Sequence, residues 1–317
     1  MNAYLVRRLL ALVPTLIFAS MIVFATVRMI PGDVIDMMLS QNDIGANKLG
    51  REQLISALGL DRSMPEQYLR WLGGLLQGDM GNSLWRSTPV LEEVLQRLPV
   101  TFELGLIALL VGLALALPIG VYSAMRQDTC GDLIARSFSI LLLAVPGFWI
   151  GTMVMVFPSI WWGWSPEVNY VNFTDDPLQN LKQMIVPAIV LGMSLSAITM
   201  RLTRTMMLEV LRQDYVRTAW AKGLPERLVV IRHAVRNALI PVVTLVGLQA
   251  PLLIGGAVII EQIFVLPGMG TLMLDAVSQR DYPVVTGVFL VVGVAVMLIN
   301  LAVDLSYGLL DPRVRHQ

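Results

Sequence analysis

The sequence predicts an all-α polytopic membrane protein with six transmembrane helices, a helical extracytoplasmic lobe and a short cytoplasmic helix. Two observations support this fold class. Of the 317 residues, 56% are hydrophobic and only 15% are charged, whereas about a quarter of the residues in a soluble domain are charged. The apolar residues also fall in long stretches, each sufficient for a membrane-crossing helix of about 20 residues. We therefore interpret residues 1–317 as a single transmembrane domain.

Hydropathy defines the six spans in chain order. They cover residues 9–30, 101–125, 134–162, 183–200, 238–266 and 284–310. The first span follows Arg7 and Arg8, as the apolar region of a secretory signal would. Its 22 residues exceed the roughly 7–15 residues of such a region, and no A-x-A cleavage site follows it. We expect a retained membrane anchor.

The density of Lys and Arg predicts the orientation of the spans. One set of flanking segments carries 14 basic residues in 62 positions, and the other carries 8 in 106. The first set comprises residues 1–8, 126–136, 201–236 and 311–317, and the second comprises 31–99, 163–182 and 267–283. Because basic flanks stay on the cytoplasmic side, we expect both termini in the cytoplasm.

Prolines recur inside the predicted spans, among them Pro14, Pro118, Pro146, Pro158, Pro187 and Pro251. Each proline removes a backbone donor and tends to kink its helix. Neighbouring helices or water must then satisfy the carbonyl groups that lose their partners. The pattern indicates either a helical bundle that encloses a cavity or simple irregularities of packing.

The long segment 31–99 is polar enough for water but contains helical patterns. Residues 51–60 and 65–77 repeat apolar side chains at intervals of three and four, which is typical of a helix. Pro65 suits a first helical position. The sequence therefore predicts a helical extracytoplasmic lobe, which could meet a soluble partner or only cap the transmembrane bundle.

The segment 201–236 carries eight Lys/Arg against three Asp/Glu, so it lies in water. The fourth span is predicted to continue as a helix to about Leu211. Asp214 is a candidate N-cap for a second, short helix. Gly223 fits the position after the C-terminus of that helix, and Pro225 prevents its continuation and opens the next one. This order of helices and stops predicts a compact projection from the bundle.

The projection, residues 214–223, is a candidate docking element. Thr218 and Ala219 are small and allow a partner to approach closely. Large side chains of the kind enriched at interface hot spots accompany them: Tyr215, Val216 and Trp220. The alternative is a solvated basic loop that only follows the preference of basic residues for the cytoplasmic side.

Few acidic residues fall inside the spans, and ionisable residues there often mark a transport pathway. Glu103 and Glu261 lie near the outer ends of spans two and five, and Asp304 lies in the inner part of span six. Four neutral polar residues could line a cavity: Ser194, Ser196, Thr199 and Gln249. For all of them, a hydrogen bond or ion pair that only packs helices together is an equally good interpretation.

Several functional classes are disfavoured. The sequence lacks G-x-x-x-x-G-K-[ST], the phosphate-binding loop of many ATPases. A single cysteine, Cys130, excludes an internal disulfide, and with His233 and His316 it provides no typical zinc site. The net charge of zero gives no argument for nucleic acid. We expect no catalytic residue, no metal ion and no cofactor bound by this chain.

A family resemblance emerges in the runs DYVRTAWAKGL at 214–224 and RHAVRNALIPVVT at 232–244, which resemble the cytoplasmic loop of ABC-importer permeases. In that loop Glu-Ala-Ala is followed three residues later by Gly, and the matching residues are Arg217, Thr218, Ala219 and Gly223. The replaced Glu and first Ala, and Arg236 in place of a downstream proline, are typical of the dipeptide, oligopeptide and nickel subfamily. Further matches are PGD at 31–33, LGLD at 58–61, QYLRWLGGLLQGDMGNSL at 67–84, LPVTFELG at 98–105, PGFWIG at 146–151, LPGMG at 266–270, RDYPVV at 280–285 and DLSYGLLDPRVR at 304–315.

The resemblance implies one of two homologous membrane subunits of a type I ABC importer in a bacterial inner or plasma membrane. Residues 214–223 would be the coupling helix, seated in a groove of a cytoplasmic ATPase. The implied coupling residues are Asp214, Tyr215, Arg217, Thr218, Ala219, Trp220 and Gly223. ATP and Mg would bind two partner ATPase subunits, and a soluble solute-binding protein would dock on the outer face. Peptides are the implied cargo, with nickel chelates or glutathione-like compounds as alternatives.

Other functional classes compete with this interpretation. A secondary transporter driven by an ion gradient would predict inverted internal repeats and charged residues near the midplane, and neither is evident in the sequence. An intramembrane enzyme would need a nucleophile with its base, or metal ligands, at membrane depth, and no H-E-x-x-H motif exists. A purely structural scaffold fits poorly with so many kinked spans.

Overall fold

The computed structural model of the protein describes residues 2–29, 55–56, 61–165, 167 and 169–310. These residues are mostly helical, with one isolated β-bridge between Asn82 and Pro89, which confirms the all-α prediction. The elements are α1 (Asn2–Arg28), α2 (Met64–Leu76), α3 (Val90–Met125), α4 (Cys130–Ala144), α5 (Gly147–Trp162), α6 (Pro177–Leu211), α7 (Asp214–Ala221), α8 (Glu226–Leu228), a π-helical segment (Val229–Val235), α9 (Arg236–Phe264), α10 (Met269–Ser278) and α11 (Tyr282–Leu310).

Predicted spans two, four, five and six coincide with helices long and apolar enough to cross a membrane. These helices are Val90–Met125, Pro177–Leu211, Glu226–Phe264 and Tyr282–Val303. The first predicted span corresponds to α1, whose apolar stretch Val13–Arg28 is shorter. Within the part of the chain that the structure describes, the number of candidate spans is therefore four, or five when a bent helix pair counts as one span, and the sixth stays a prediction.

The third predicted span is not one continuous helix. Helices α4 and α5 meet at an angle of 90°, so the span predicted over 134–162 is broken next to Pro146, one of the prolines expected to kink a helix. Val145 and Pro146 between them have extended backbone angles. Proline offers no N–H to the preceding turn and pushes the residue before it out of the helical region. Pro146 therefore breaks this span, whereas Pro187 and Pro251 lie inside continuous helices.

The chain divides into two compact units. The first comprises Met1–Pro99 with Thr271–Ala295, and the second comprises Val100–Gly270 with Val296–Gln317. The expectation of one transmembrane domain over the whole chain stays a prediction.

Within the first unit, α1 packs on α2 through aromatic side chains. The Phe24 ring centroid lies 5.5 Å from that of Tyr68 and 5.7 Å from that of Trp71, and the hydroxyls of Ser20 and Tyr68 are 2.9 Å apart. Pro65 lies in the first turn of α2, which confirms the predicted helix over 65–77. The predicted helix at 51–60 is described only at residues 55–56.

The motif at 67–84 and the motif at 280–285, both in the first unit, meet at the buried side chain of Asp281. The Ser83 hydroxyl donates to Asp281 Oδ2 at 2.6 Å, the Leu84 N–H donates to Asp281 Oδ1 at 3.2 Å, and Trp85 Nε1 donates to the carbonyl of Gln279 at 2.8 Å. The carboxylate thereby fixes the turn before α3 to the turn before α11. The PGD motif at 31–33, most of LGLD at 58–61 and residues 311–317 lie outside the described residues.

The second unit is built around α3, α6 and α9. Its core contains Leu104 from α3, Met184 and Ala188 from α6, and Ala257 and Ile260 from α9. Because α6 and α9 pack along much of their length, they form the framework that positions segment 201–236.

Candidate functional site

Segment 201–236 folds largely as predicted. Helix α6 continues to Leu211, and α7 begins at Asp214 after a two-residue break. Gln213 is the N-cap, and Asp214 occupies the first helical turn without a capping hydrogen bond, so the predicted cap is wrong by one residue. Gly223 has φ +74°, a left-handed conformation that an L side chain rarely adopts. It ends α7, as expected for the position after a helix.

One face of α7 packs against the chain itself. Val216 and Ala219 are buried with Val229 of the π-helical segment. Leu211 and Leu224 pack against this cluster. The expectation that Val216 and Ala219 face a partner is therefore wrong, because both side chains fix α7 to the bundle.

The opposite face of α7 is exposed. Arg217 and Thr218 lie there, and the large side chains Tyr215 and Trp220 remain 43% and 44% exposed. Two further apolar side chains that the sequence analysis did not single out are Leu228, at 37%, and Ile231, at 56% exposed. Exposed apolar side chains among charged ones are typical of an interaction surface. We name Tyr215, Arg217, Thr218 and Trp220 the docking surface.

Tyr215 also joins α7 to the start of α9. Asn237 Nδ2 donates to the Tyr215 hydroxyl at 2.9 Å and to the carbonyl of His233 at 3.0 Å. His233 belongs to the π-helical segment, whose wider turn displaces backbone carbonyls from the α-helical pattern. Asn237 thus provides a hydrogen-bond donor at the point where the π-helical segment becomes α-helical.

Replacing Asn237 by leucine is expected to loosen α7. The change removes the hydrogen bond to Tyr215, worth about 1 kcal/mol, so backbone amides of residues 214–222 should exchange with deuterium about fivefold faster. Hydrogen exchange of the purified protein measures this effect. Asn172→Leu is the control, because Asn172 is an exposed asparagine whose side chain donates to Asp175 in its own loop. Equal exchange rates in both variants would contradict the assigned role of Asn237.

A buried ion pair lies where α6 leaves the predicted span. Arg204 of α6 donates from Nε to Asp132 Oδ1 and from Nη2 to Asp132 Oδ2, both at 2.8 Å. The carboxylate, which is fully buried, also accepts from Ser123 Oγ and from the Asp128 N–H. It therefore ties α3, α4 and α6 together. This pair was not predicted, because its partners are 72 residues apart. The signal that could have revealed it is that two oppositely charged residues each flank an apolar run.

A cavity of about 290 Å³ lies between α6 and α9, with the start of α5 at its edge. Ser194 and Gln249 supply the polar groups of its wall, and the rest is apolar, including Phe148, Leu252 and Ile259. The wall carries no charged side chain. Ser194 and Gln249 are the two predicted pathway residues that the structure brings together here.

The other neutral candidates, Ser196 and Thr199, lie where helices pack together. Both are fully buried and donate to backbone carbonyls of their own helix, those of Met193 and Leu195. Gln249 Nε2 reaches Thr199 Oγ1 at 3.5 Å. These residues do not line the cavity, so hydrogen bonding within and between helices is their observed role.

The two glutamates also form internal networks. Glu103 Oε2 accepts from the Tyr170 hydroxyl at 3.3 Å and from Asn180 Nδ2 at 3.2 Å. Burial, together with the Glu103 carboxylate, raises the pKa of Tyr170 to about 12, so Tyr170 remains a donor at physiological pH. Neither Glu103 nor Glu261 lines the cavity, and the side chain of Asp304 lies outside the described residues.

Glu261 is fully buried and organises the turn after α9. Its Oε1 accepts from Thr101 Oγ1 at 2.5 Å, and its Oε2 accepts from the Gly270 N–H at 2.7 Å. A Cβ atom on Gly268 would lie 2.2 Å from the carboxylate, so the LPGMG motif closes around this group. Among the described residues, no cluster of three His, Cys, Asp or Glu could hold a metal ion.

Comparisons with known proteins agree with this geometry. Residues 116–316 match the family described as binding-protein-dependent transport system inner membrane component, and residues 1–105 match the N-terminal component of such systems. The chain is 40% identical to the dipeptide transport system permease protein DppB of Escherichia coli (strain K12) and 40% identical to the oligopeptide transport system permease protein AppB of Bacillus subtilis (strain 168), over the full length of each. A solved structure titled "Crystal structure of an amino acid ABC transporter with histidines" is similar in fold, with a TM-score of 0.50 at 12% identity over 70% of this chain and 94% of that chain.

Proposed function

Because the chain belongs to the family of inner membrane components of binding-protein-dependent transport systems, we propose that it is the permease subunit of an ATP-driven importer of peptides. The full-length relatives that transport dipeptides and oligopeptides support the cargo. The chain is a transport component, and ATP with Mg binds to two separate ATP-binding subunits. A homologous second permease completes the pathway, and an extracytoplasmic solute-binding protein delivers the peptide.

One observation carries the coupling role: α7 connects the two helices that line the cavity. Helix α6 ends two residues before α7 begins, and the chain after Gly223 runs through α8 and the π-helical segment directly into α9. Val216 and Ala219 pack on Val229, so α7 does not move independently of either helix. A force applied to the docking surface therefore reaches both walls of the cavity.

The mechanism follows from this connection. ATP would draw the two ATP-binding subunits together and displace α7. Tightly packed helices switch between discrete arrangements rather than deform gradually, so α6 and α9 would change their packing and open the cavity to the other side. The exposed Tyr215, Arg217, Thr218 and Trp220 would contact the ATP-binding subunit, with Asp214 and Gly223 setting the two ends of α7.

The neutral cavity wall supports a peptide cargo. Peptides that differ in side chains also differ in charge, and a wall with charged groups would retain some of them. Ser194 and Gln249 offer hydrogen bonds to peptide groups without adding charge. Selectivity would then reside largely in the solute-binding protein.

Membrane placement completes the proposal. The apolar helices fit a bacterial inner or plasma membrane, with the termini and the docking surface in the cytoplasm and the predicted lobe at 31–99 outside. The excess of basic residues in segment 201–236 supports this orientation.

Trp220→Ala is expected to weaken attachment of the ATP-binding subunits about 30-fold, because truncating an aromatic hot spot costs about 2 kcal/mol. The full set of co-expressed subunits should be purified through the permease, and ATP-dependent uptake of a dipeptide should be measured in proteoliposomes. The matched control is Trp162→Ala, an exposed tryptophan at the end of α5, which should leave attachment and uptake unchanged.

Two results would contradict the proposal. Equal attachment and uptake in the Trp220 and Trp162 variants would remove the coupling role of the docking surface. Uptake driven by an ion gradient, in proteoliposomes without ATP-binding subunits, would favour a secondary transporter.

A further inference from the structure

A second cavity, of about 280 Å³, lies in the first unit. Its wall combines positive charge, aromatic rings and one carboxylate: Arg28, Arg70, Phe24, Trp71, Tyr282 and Asp79. None of these residues belongs to the docking surface or to the cavity between α6 and α9. The transport mechanism therefore gives this cavity no role.

Arg28, the last residue of α1, is held in this cavity by its neighbours. Its Cζ atom lies 5.2 Å from the ring centroid of Phe24 and 5.6 Å from that of Tyr282. Phe24 is itself fixed by Tyr68 and Trp71. These cation–π contacts hold the guanidinium group beside the two aromatic rings.

The N–H edge of Arg28 has no acceptor among the described residues. The side chain is half-buried, and within this part of the chain it makes neither an ion pair nor a hydrogen bond. A cation removed from water without an anionic partner is costly. Arg70 lies at the same cavity, so the site suits an oxyanion that accepts several N–H bonds.

The position of Arg28 indicates where that oxyanion comes from. Helix α1 is apolar over Val13–Arg28, and its exposed side chains include Phe18, Met21 and Ile22. Arginine at the end of an apolar helix, with aromatic rings beside it, is typical of the depth of lipid headgroups.

We propose that this cavity binds the phosphate of a membrane phospholipid, with Arg28 as its principal donor and Arg70 as added positive charge. Asp79 uses Oδ1 to accept from the Gly81 N–H at 2.8 Å, and its negative charge suits the ammonium group of an ethanolamine headgroup. The preferred ligand is therefore phosphatidylethanolamine. This inference does not depend on the proposed transport function.

The test measures lipid retention by the purified full-length protein. The protein is first mildly delipidated and then mixed with equal amounts of phosphatidylethanolamine and phosphatidylglycerol. Native mass spectrometry should then detect one bound phosphatidylethanolamine per chain. Arg28→Gln should lower the bound fraction about tenfold, whereas Arg62→Gln, an exposed arginine of the same unit outside the cavity, should leave it unchanged. Arg28→Lys keeps the charge but loses the planar donor edge and should give an intermediate value. Asp79→Asn should reduce the preference for phosphatidylethanolamine over phosphatidylglycerol.

Three results would overturn the proposal. The first is equal lipid retention in Arg28→Gln, Arg28→Lys and Arg62→Gln. The second is Arg28-dependent binding of inorganic phosphate or of the dipeptide Ala-Ala without any lipid effect, which would assign the cavity to a soluble anion. The third is an equal loss of thermal stability in Arg28→Gln and Asp33→Asn without a lipid effect. That result would pair Arg28 with a carboxylate of the chain itself.

Discussion

Arg204→Met is expected to destabilise the protein by about 3–5 kcal/mol, because it leaves the buried carboxylate of Asp132 without its counter-ion. Asp132 is fully buried, and Arg204 is mostly buried. Two parallel N–H bonds of 2.8 Å join them. Arg136 cannot replace Arg204, because it approaches Asp132 only to 3.9 Å and is largely in solvent. Thermal unfolding of the purified protein in detergent measures the loss.

A double-mutant cycle separates the ion pair from simple loss of volume. Adding Asp132→Asn to Arg204→Met removes the unpaired charge, so the double variant should be more stable than Arg204→Met alone. Arg201→Met is the control, since Arg201 is an exposed arginine on the same helix, and it should change stability by less than about 0.5 kcal/mol. A double variant that loses the sum of the two single losses would show that Arg204 and Asp132 do not interact.

The helices of this chain were predictable because long apolar runs and local stop signals determine them. Helix α6 reaches Leu211, and α7 ends at Ala221, just before Gly223, as the polar, glycine and proline residues predict. The break in the third span was less predictable. Pro146 signals a kink, but an angle of 90° depends on what α4 and α5 pack against, which the local sequence does not contain.

The candidate site was predictable in position but not in the direction of its side chains. Small residues such as Ala219 suit either a partner's groove or the chain's own core, and burial against Val229 decides for the core. The roles of Thr199 and Glu261 were unpredictable for the same reason. Whether such a side chain lines a cavity or makes an internal hydrogen bond depends on partners that are distant in the sequence. Asp132 and Arg204 meet only after α4 and α6 have packed, so spacing along the sequence cannot reveal the pair.

Gly192→Ala is expected to destabilise the protein by about 2–3 kcal/mol, although alanine favours a helix by about 1 kcal/mol over glycine. A Cβ atom on Gly192 of α6 would lie 2.5 Å from the carbonyl oxygen of Ala108 and 3.2 Å from the nitrogen of Gly112, both on α3. These are backbone atoms, so they cannot move aside as a flexible side chain would. The two helices must separate, and small residues at such contacts are what allow membrane helices to approach closely.

Gly105→Ala provides the matched control on the same helix pair. Gly105 lies in α3, and a Cβ atom there would meet nothing within 4 Å, so the variant should be as stable as the wild type or up to about 1 kcal/mol more stable. The opposite signs of the two substitutions distinguish a backbone contact from a general effect of alanine. Since α6 also forms a wall of the cavity, Gly192→Ala should additionally lower uptake in proteoliposomes. Equal unfolding temperatures for the two variants would mean that α3 and α6 do not pack this closely.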